Sequence, residues 1–178
     1  TASGTVANLR AKLDYLSFGK TGNLSGKIKI KGLPDIDATF FDADFVQLYA
    51  AVSDIEMLNI PTGESLTKLD LPEQVKRFGF LDFQGSFVGF LTDFVAYGSG
   101  KTALGGIKAD INVKSPNDTL KYSGNVASNG FQLGQLIEAE PSVKAVAFDL
   151  NIDGKGTDIE TMAINGKGSL KSIELLGY

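Results

Sequence analysis

The stretch "LDFQGSFVG", residues 81 to 89, decides the fold because every second position is apolar or glycine. Those positions hold Leu81, Phe83, Gly85, Phe87 and Gly89. The residues between them are mostly polar. Side chains two residues apart return to the same face of a β-strand. The stretch therefore predicts a strand with one dry face and one wet face.

The same period of two recurs along the chain and predicts further strands of the same kind. Each of these stretches again alternates apolar or small residues with polar ones. Their apolar positions are Leu9, Ala11, Leu13 and Tyr15; Leu24, Gly26, Ile28 and Ile30; Ile107, Ala109, Ile111 and Val113; Leu120, Tyr122, Gly124 and Val126; and Phe148, Leu150, Ile152 and Gly154.

Helix signals are brief. The segment from Ser53 offers a capping box, with Glu56 three residues further on. In "LPEQVKRFG", Pro72 stands near a helix start and Gly79 just past its end. A third short turn is predicted in "QLGQLIEAEP". These segments are too short to cover a long sheet.

A sheet without such a cover closes into a barrel, stacks on a second sheet, or curls into a gutter. We predict an all-β fold: a curled, open, antiparallel-type sheet (a β-taco or gutter) with an apolar concave lining and a few short helices. No shift in composition marks a boundary, so residues 1–178 are predicted to form a single β-gutter unit. The alternative, in which the same apolar residues form the closed core of a sandwich, stays open.

Residues 149 to 160, "DLNIDGKGTDIE", match the spacing of an EF-hand calcium loop, with Asp149 at position one and Glu160 at position twelve. An EF-hand needs a helix on each side, whereas both flanks here read as strands. A glycine, a short gap and then Asp with an apolar residue also occur in "KGLPDI", "VGFLTDF" and "GKGTDI". The calcium pattern is therefore interpreted as the third copy of a strand hairpin, and no metal site is predicted.

Composition excludes several classes of function. The chain has no Cys and no His, so thiolate nucleophiles, the usual zinc ligands and the commonest general base are absent. Its net charge of -4 argues against a nucleic-acid partner. No apolar run is long enough to span a membrane, and the first residues lack the features of a signal peptide. The start without Met and the abrupt end predict a piece of a longer chain.

Two carboxylate pairs are the candidates for catalysis by an acid and a base. Asp42 and Asp44 point to the same wet side of a strand, and Glu138 and Glu140 lie beside a proline in a polar turn. Solvated surface charge explains both pairs better than glycoside cleavage does. The lysines of "KIKIK", Lys27, Lys29 and Lys31, are likewise interpreted as a solvated row that protects a sheet edge. We expect a protein that is not an enzyme and needs no cofactor.

The chain has 21 glycines, and many of them fall in phase with the apolar positions of the strands. Glycine inside a strand weakens it and packs nothing. One interpretation is that these glycines let a strongly twisted sheet coil or form bulges. The other is that they leave room along the dry face for a ligand. Both hold at once if a curled sheet has a partly unfilled lining.

Three longer segments carry a family resemblance: residues 71–114, from "LPEQVKRFGFLDF" to "ADINVK"; residues 120–137, "LKYSGNVASNGFQLGQLI"; and residues 166–178, "GKGSLKSIELLGY". In these segments the chain resembles the TamB family of AsmA-like cell-envelope proteins, in particular its Bacteroidetes-like members. The resemblance extends from about residue 20 onward.

The resemblance implies a place in the cell and a set of partners. TamB-like proteins are anchored in the inner membrane by an amino-terminal helix and cross the periplasm as an apolar-lined gutter of strands. They work with an outer-membrane barrel protein of the TamA type. They are implicated in assembling outer-membrane proteins and in moving phospholipid between membranes. We therefore expect a periplasmic fragment of a longer, repeat-containing chain that lacks the anchor.

Two functional hypotheses follow. In the first, acyl chains lie along the apolar lining, and the chain is a segment of a phospholipid conduit. In the second, the chain is a scaffold or chaperone that captures apolar segments of outer-membrane proteins on a free strand edge or in the groove. The candidate lining residues are Ile28, Ile30, Leu81, Phe83, Phe87, Ile107, Ile111, Val113, Tyr122, Phe148, Leu150 and Ile152.

Overall fold

A computed structural model of the chain describes residues 1–62, 65–68, 71, 73–115, 119–138, 142–156 and 161–175. The strands are β1 (Ala2–Thr5), β2 (Asn8–Phe18), β3 (Gly22–Lys31), β4 (Phe40–Ala51), β5 (Asn59–Thr62), β6 (Ser65–Lys68), β7 (Phe80–Phe90), β8 (Asp93–Thr102), β9 (Gly105–Lys114), β10 (Lys121–Gln132), β11 (Val143–Lys155) and β12 (Ala163–Leu175). The helices are α1 (Val52–Glu56), α2 (Glu73–Lys76) and α3 (Leu133–Leu136).

Ten of the strands form one antiparallel sheet in the order β1-β2-β3-β4-β7-β8-β9-β10-β11-β12. The β5–β6 hairpin forms a separate two-stranded sheet, inserted between β4 and β7 together with α1 and α2. Strands β1 and β12 are the two edges, so the large sheet does not close into a barrel. The predicted all-β, open, antiparallel sheet with a few short helices is confirmed.

The register of the ladders aligns the apolar positions into continuous rows across the sheet. Because directly opposite residues point to the same face, each row identifies one face of every strand that it crosses. We call this the apolar face, and the opposite one the polar face. One row runs through Leu9, Ile30, Phe41, Gly89, Phe94, Val113, Tyr122, Gly154 and Ile164; the next through Ala11, Ile28, Ala43, Phe87, Ala96, Ile111, Gly124, Ile152 and Gly166; and a third through Leu13, Gly26, Phe45, Gly85, Gly98, Ala109, Val126, Leu150 and Gly168.

A β-bulge in β2 makes the prediction for Tyr15 wrong. Strict alternation places Tyr15 on the apolar face. In the structure Leu13 pairs with Gly26 and Leu16 pairs with Leu24, so one extra residue is inserted between the two pairs. A bulge of this kind reverses the parity of the residues that follow it. Tyr15 is 71% exposed, and Leu16 takes the next position on the apolar face.

Strands β4 and β8 were predicted only in part. Asp42 and Asp44 were placed on a strand, and the "VGFLTDF" hairpin predicted a strand opening at Asp93 and Phe94, but no run of alternating apolar positions was assigned to either strand. In β4 the alternation is broken by a bulge between Phe45 and Leu48, which leaves Val46 exposed. In β8 the residues on the polar face include Val95 and Tyr97, so both faces carry apolar side chains. A period of two is cut short where a bulge shifts it and hidden where both faces are apolar.

The short helices lie where the sequence predicted them, except that one predicted N-cap is wrong. Helix α2 begins directly after Pro72 and is followed by Gly79, which has a φ of 66°, and α3 lies where the third turn was predicted. The capping box at Ser53 is wrong: α1 begins at Val52, and its N-cap residue Ala51 makes no side-chain hydrogen bond. No helix among the described residues combines the length and apolarity needed to cross a membrane.

The three predicted hairpin repeats have different outcomes. The "VGFLTDF" copy is a tight turn of Leu91 and Thr92 between β7 and β8, although Gly89 lies inside β7. In the "KGLPDI" copy the next strand begins at Phe40 and not at Ile36, so a longer connection replaces the hairpin. In the third copy, 149–155 belong to β11 and the next strand is β12, while 157–160 lie outside the described residues. The predicted strands on both sides of the calcium-like spacing are thus confirmed.

Most of the buried side chains lie at one end of the sheet, where the three helices lie. We call this the capped end. Ladder hydrogen bonds continue there into the connections, for example from Gln132 N–H to the Leu104 carbonyl at 2.7 Å. The rings of Phe78 and Phe131 meet edge to face, with centroids 6.4 Å apart. The most buried apolar residues of this end are Ala50, Val52, Leu104, Phe131 and Val146.

Helix α1 fastens the β2–β3 turn to the capped end through a buried carboxylate. Asp54 is 2% exposed, and its Oδ2 accepts hydrogen bonds from the Thr21 hydroxyl and the Thr21 N–H, both at 2.7 Å. The hydrogen bond from the Thr21 hydroxyl lowers the pKa of Asp54, and backbone N–H groups of Thr21, Lys20 and Gly22 lower it further. The charged form of Asp54 is therefore the one that holds the turn.

Replacing Asp54 with Asn is expected to destabilise the protein at neutral pH and to make little difference in acid. Because the folded-state pKa lies below the unfolded value of about 3.9, the stabilisation is complete above that value and is lost as pH falls through the folded-state pKa. Urea unfolding of the parent and Asp54→Asn between about pH 7 and about pH 3 measures the difference. A difference that stays constant over this range would contradict the assignment.

Candidate binding surface

The apolar face holds every residue that the sequence predicted as lining. Ile30, Val113 and Tyr122 share one row; Ile28, Phe87, Ile111 and Ile152 share the next; and Leu150 belongs to the third. Leu81, Phe83, Ile107 and Phe148 extend the same face toward the capped end, opposite Ala50, Leu48, Gly100 and Leu170. The structure brings them together on one surface, and their role in binding stays a prediction.

The sequence reading missed the apolar residues that β4 and β8 add to the centre of this face. Phe45 meets Phe83 edge to face at 6.1 Å, and Phe41 meets Phe87 at 6.4 Å. Phe94 lies against Phe87, with ring centroids 4.6 Å apart. In β4 the signal is legible, because Phe41 and Phe45 alternate with two aspartates over five residues. These rings form an aromatic band across the middle of the face.

Several glycines of the apolar face lie where a neighbouring backbone or ring approaches closely. Gly85 has a φ of 155°, and a Cβ there would lie 2.1 Å from the Tyr97 carbonyl oxygen and 2.8 Å from the Phe83 ring. The space above Gly85 is thus occupied by a neighbouring ring, as Tyr122 occupies the space above Gly154. At these positions the coiling interpretation is the better one, since a larger residue would push strands and rings apart.

Coverage of the apolar face is uneven. The central residues Phe87 and Ile111 are half-buried, whereas Ile164 and Leu170 on the edge strand β12 are 48% and 59% exposed. In the described part of the chain, α1 packs against β4 and α3 against β11, both at the capped end. Burial raises the pKa of the Tyr122 phenol, as expected beside apolar neighbours. The apolar face is thus a hydrophobic surface that the helices cover only at the capped end.

The carboxylates that were considered for catalysis are engaged in hydrogen bonds and ion pairs within the protein. The Asp42 carboxylate accepts a hydrogen bond from Lys29 Nζ at 2.6 Å, and Asp44 accepts one from the Ser86 hydroxyl at 2.6 Å. Glu138 is exposed and pairs with Arg77, while Glu140 lies outside the described residues. Each of the three candidate carboxylates that the structure describes, Asp42, Asp44 and Glu138, thus has a structural partner.

The lysine row of β3 is solvated as predicted, but its predicted edge-protecting role is wrong. Strand β3 lies inside the sheet, between β2 and β4. Lys29 and Lys31 stand opposite Asp42 and Phe40 on β4, so the row faces a neighbouring strand and not an open edge.

Two shallow clefts lie on the polar face, between rows of long side chains. One, of about 670 Å³, includes Lys114, Lys121 and Lys155 in its lining. The other, of about 790 Å³, includes Lys101, Lys108 and Lys171. Both clefts have a mixed lining, in which the lysines lie beside apolar groups such as Ala163 and Ala127.

Among the residues that the structure describes, no three acidic side chains gather in a way that could hold a metal ion. Comparison of the chain with protein-family models, curated proteins and solved structures finds no match.

Proposed function

We propose that this chain is a non-enzymatic segment of a TamB-like, periplasm-spanning protein whose apolar face conducts phospholipid between the inner and outer membranes. The observation that carries the proposal is the set of continuous apolar rows on a face that the chain covers mainly at one end. The family resemblance adds the setting: the periplasm, an inner-membrane anchor elsewhere in the full-length protein, and an outer-membrane barrel partner of the TamA type.

The dimensions of the face suit acyl chains. Strands lie about 4.8 Å apart, so ten strands in series give a surface about 43 Å long. One leaflet of a bilayer's hydrocarbon core is about 15 Å thick, half of the full core. More than one acyl chain therefore fits along the rows.

The energetics also favour a lipid occupant. Each methylene removed from water contributes about 0.8 kcal/mol, so one long acyl chain gains on the order of 10 kcal/mol before losses from ordering and imperfect fit. The aromatic band of Phe41, Phe45, Phe83, Phe87 and Phe94 offers rigid apolar contacts that need little side-chain ordering. The free energy of burial is spread along the apolar rows, so a bound acyl chain has no single anchoring point and can slide.

Native mass spectrometry with lipid extraction on the purified chain tests the proposal. We expect phospholipid to co-purify with the parent and to be lost from a Phe87→Asp, Ile111→Asp double variant, because a charge facing the rows must be desolvated when a lipid binds. The matched control is Val88→Asp with Asn112→Asp, which adds the same two charges one residue further along the same strands, on the polar face. The control is expected to keep its lipid.

Two results would overturn the conduit. The first is a folded parent protein that carries no lipid, since a conduit must bind its lipid. The second is an equal loss of lipid from both double variants, which would show that added negative charge, and not its place on the apolar face, removes the lipid. Circular dichroism of each variant separates loss of binding from loss of folding, and the lipid content of the parent decides the case even if the apolar-face variant unfolds.

A second candidate function is capture of strands from outer-membrane proteins. The observation that favours it is β12, an edge strand of 13 residues in which every residue is exposed. Long edge strands with free backbone groups are templates for another strand. A folded parent without lipid in the experiment above would make this candidate the better one.

A further inference from the structure

The polar face changes in character between its two halves. Strand β3 presents three lysines there, whereas the middle of strands β9 to β12 presents mainly amide, hydroxyl and carboxylate groups. The register aligns these groups with exposed residues of β8 into two neighbouring rows, which we call the amide rows. One row holds Val95, Asn112, Ser123, Asp153 and Asn165; the other holds Tyr97, Asp110, Asn125 and Asn151. Every member lies at least two residues inside its strand, so the amide rows belong to the regular part of the sheet.

Asparagines on four successive strands are the unusual feature of the amide rows. Asparagine is depleted in β-strands, because its side chain competes with the backbone for hydrogen bonds. Solvation does not require it, since lysines solvate the same face on β3. The Asn125 carboxamide donates a hydrogen bond to Asp149 Oδ1 at 3.0 Å. The carboxamides of Asn112, Asn151 and Asn165 have no hydrogen-bond partner among the residues that the structure describes. Three carboxamides, each with donors and an acceptor, are thus available to a ligand.

An exposed apolar surface adjoins the asparagines. Val88 on β7 and Val95 on β8 stand directly opposite each other and are 41% and 42% exposed. Tyr97, two residues further along β8, is 56% exposed and pairs with Asp110. Apolar and aromatic side chains beside a few hydrogen-bonding groups are typical of ligand sites. Pyranose sugars suit this combination, because their C–H faces pack on apolar side chains while their hydroxyls need donors and acceptors.

The charges of the amide rows favour a neutral ligand. Asp110 and Asp153 belong to the rows, and Lys167 stands opposite Asn151 on β12, so the local charges nearly balance. A nucleic acid needs a basic surface, which these rows do not provide. A polypeptide binds a sheet mainly through the backbone of an edge strand, whereas β9, β10 and β11 are interior strands. An uncharged chain rich in hydroxyl groups meets neither objection.

The amide rows are long enough for an extended chain of sugars. Neighbouring strands lie about 4.8 Å apart, so β8 to β12 span about 19 Å. The part of the first row from Asn112 to Asn165 lines the cleft of about 670 Å³ on the polar face. Ligand sites have volumes of about 300 to 1,000 Å³, so the cleft is of suitable size. Its shallow form suits a chain that continues beyond the site at both ends.

We propose that the amide rows bind a neutral glycan chain whose sugars carry acetamido groups. An acetamido group has an N–H donor and a carbonyl acceptor on opposite sides, and carboxamides on successive strands supply the complementary acceptor and donor. The aspartates accept hydrogen bonds from sugar hydroxyls, and Tyr97 with Val95 packs against the face of a sugar ring. This inference goes beyond the conduit and does not depend on it, because it concerns the opposite face of the sheet.

Co-sedimentation of the chain with insoluble chitin, a polymer of acetamido sugars, measures the binding. We expect the parent to sediment with chitin and to be released by soluble chitohexaose. Cellulose has the same linkage but hydroxyls in place of the acetamido groups, so it is expected to bind on the order of 10-fold more weakly. Tyr97→Ala with Asn151→Ala is expected to weaken chitin binding on the order of 30-fold, from about fivefold for each lost contact.

Strand β2 provides the matched control. Tyr15→Ala with Asn8→Ala makes the same two chemical changes at exposed positions away from β8 to β12. This control is expected to change chitin binding less than about twofold, because neither side chain lies on the amide rows. All four residues are exposed or largely exposed, and circular dichroism verifies that both variants fold.

The variants designed for the conduit separate the two faces of the sheet. Val88→Asp with Asn112→Asp alters the amide rows and the valine beside them, so it is expected to lose chitin binding while it keeps its lipid. Phe87→Asp with Ile111→Asp is expected to show the reverse. Failure of the conduit and failure of glycan binding are therefore distinct results.

Three outcomes would overturn the proposal. In the first, the folded parent does not sediment with chitin. In the second, the Tyr→Ala, Asn→Ala variants of β8 and β11 and of β2 lose binding equally, so the binding surface lies elsewhere. In the third, chitin and cellulose bind equally well, which contradicts the role assigned to the asparagines.

Discussion

Gly124→Ala is expected to lower the free energy of unfolding by about 2 to 6 kcal/mol. Gly124 has a φ of 140°, and a Cβ built on it would lie 2.0 Å from the Asp110 carbonyl oxygen and 2.8 Å from the Ile111 Cα. A strained backbone costs about 1 to 3 kcal/mol, and overpacking adds about 1 to 3 kcal/mol. Both neighbours are backbone atoms of β9, so no side chain can move aside to relieve the contact.

The same strand supplies the control for this prediction. Gly130 also lies in β10, and a Cβ at this position meets nothing within 4 Å. Gly130→Ala is expected to change stability by less than about 1 kcal/mol, in the stabilising direction, because it reduces the entropy of the unfolded chain. Urea unfolding of both variants gives the comparison. Equal stabilities would mean that β9 and β10 do not approach each other closely at Gly124.

Phe131→Ala is expected to cost about 3 to 5 kcal/mol, the usual range for removing a buried aromatic side chain. Phe131 is 4% exposed and meets the Phe78 ring at the capped end. A register shift between Asn129 and Phe131 pairs Phe131 with Val146, so the two side chains lie on the same face of the sheet. The loss combines the transfer of the ring from water with the cavity that it leaves.

Phe90→Ala is the matched control for Phe131→Ala. Phe90 is 38% exposed, and its ring centroid lies 5.4 Å from that of Phe40, at the end of the sheet away from the helices. Its removal is expected to cost about 1 kcal/mol, the value of an exposed aromatic pair. Urea unfolding again gives the free energies. If the two Phe→Ala variants were equally stable, the capped end would not be the core of the protein.

The sequence predicts the fold class well because alternation over long strands is a direct consequence of a sheet with one dry face. It predicts the members of the apolar face in the same way, and Phe83, Phe87 and Ile111 lie where the period places them. The alternation of apolar and polar residues does not predict where β-bulges occur. The extra residues at Tyr15 and Val46 are held by pairing with neighbouring strands, and one sequence contains no information on that pairing.

Other features depend on tertiary packing. The capping box at Ser53 is locally sound, yet the N-cap of α1 is Ala51, two residues earlier, because the chain passes from β4 directly into the helix. The lysine row of β3 resembles an edge until the strand order is known. Lys114, Lys121 and Lys155 lie on three separate strands, and their alignment becomes visible only when the register is known.

The strand order has a consequence for how the chain folds. Apart from the β4–β7 pair, which spans the excursion from Val52 to Gly79, each described strand of the large sheet pairs with its immediate neighbours in sequence. Contacts between near neighbours carry little loop-closure entropy and speed folding. The sheet can therefore grow strand by strand as the chain is synthesised, like a solenoid whose units touch only their neighbours. We therefore expect fraying at β1 or β12 to stay local, and the β4–β7 closure, which has the longest connection, to be the slowest pairing to form.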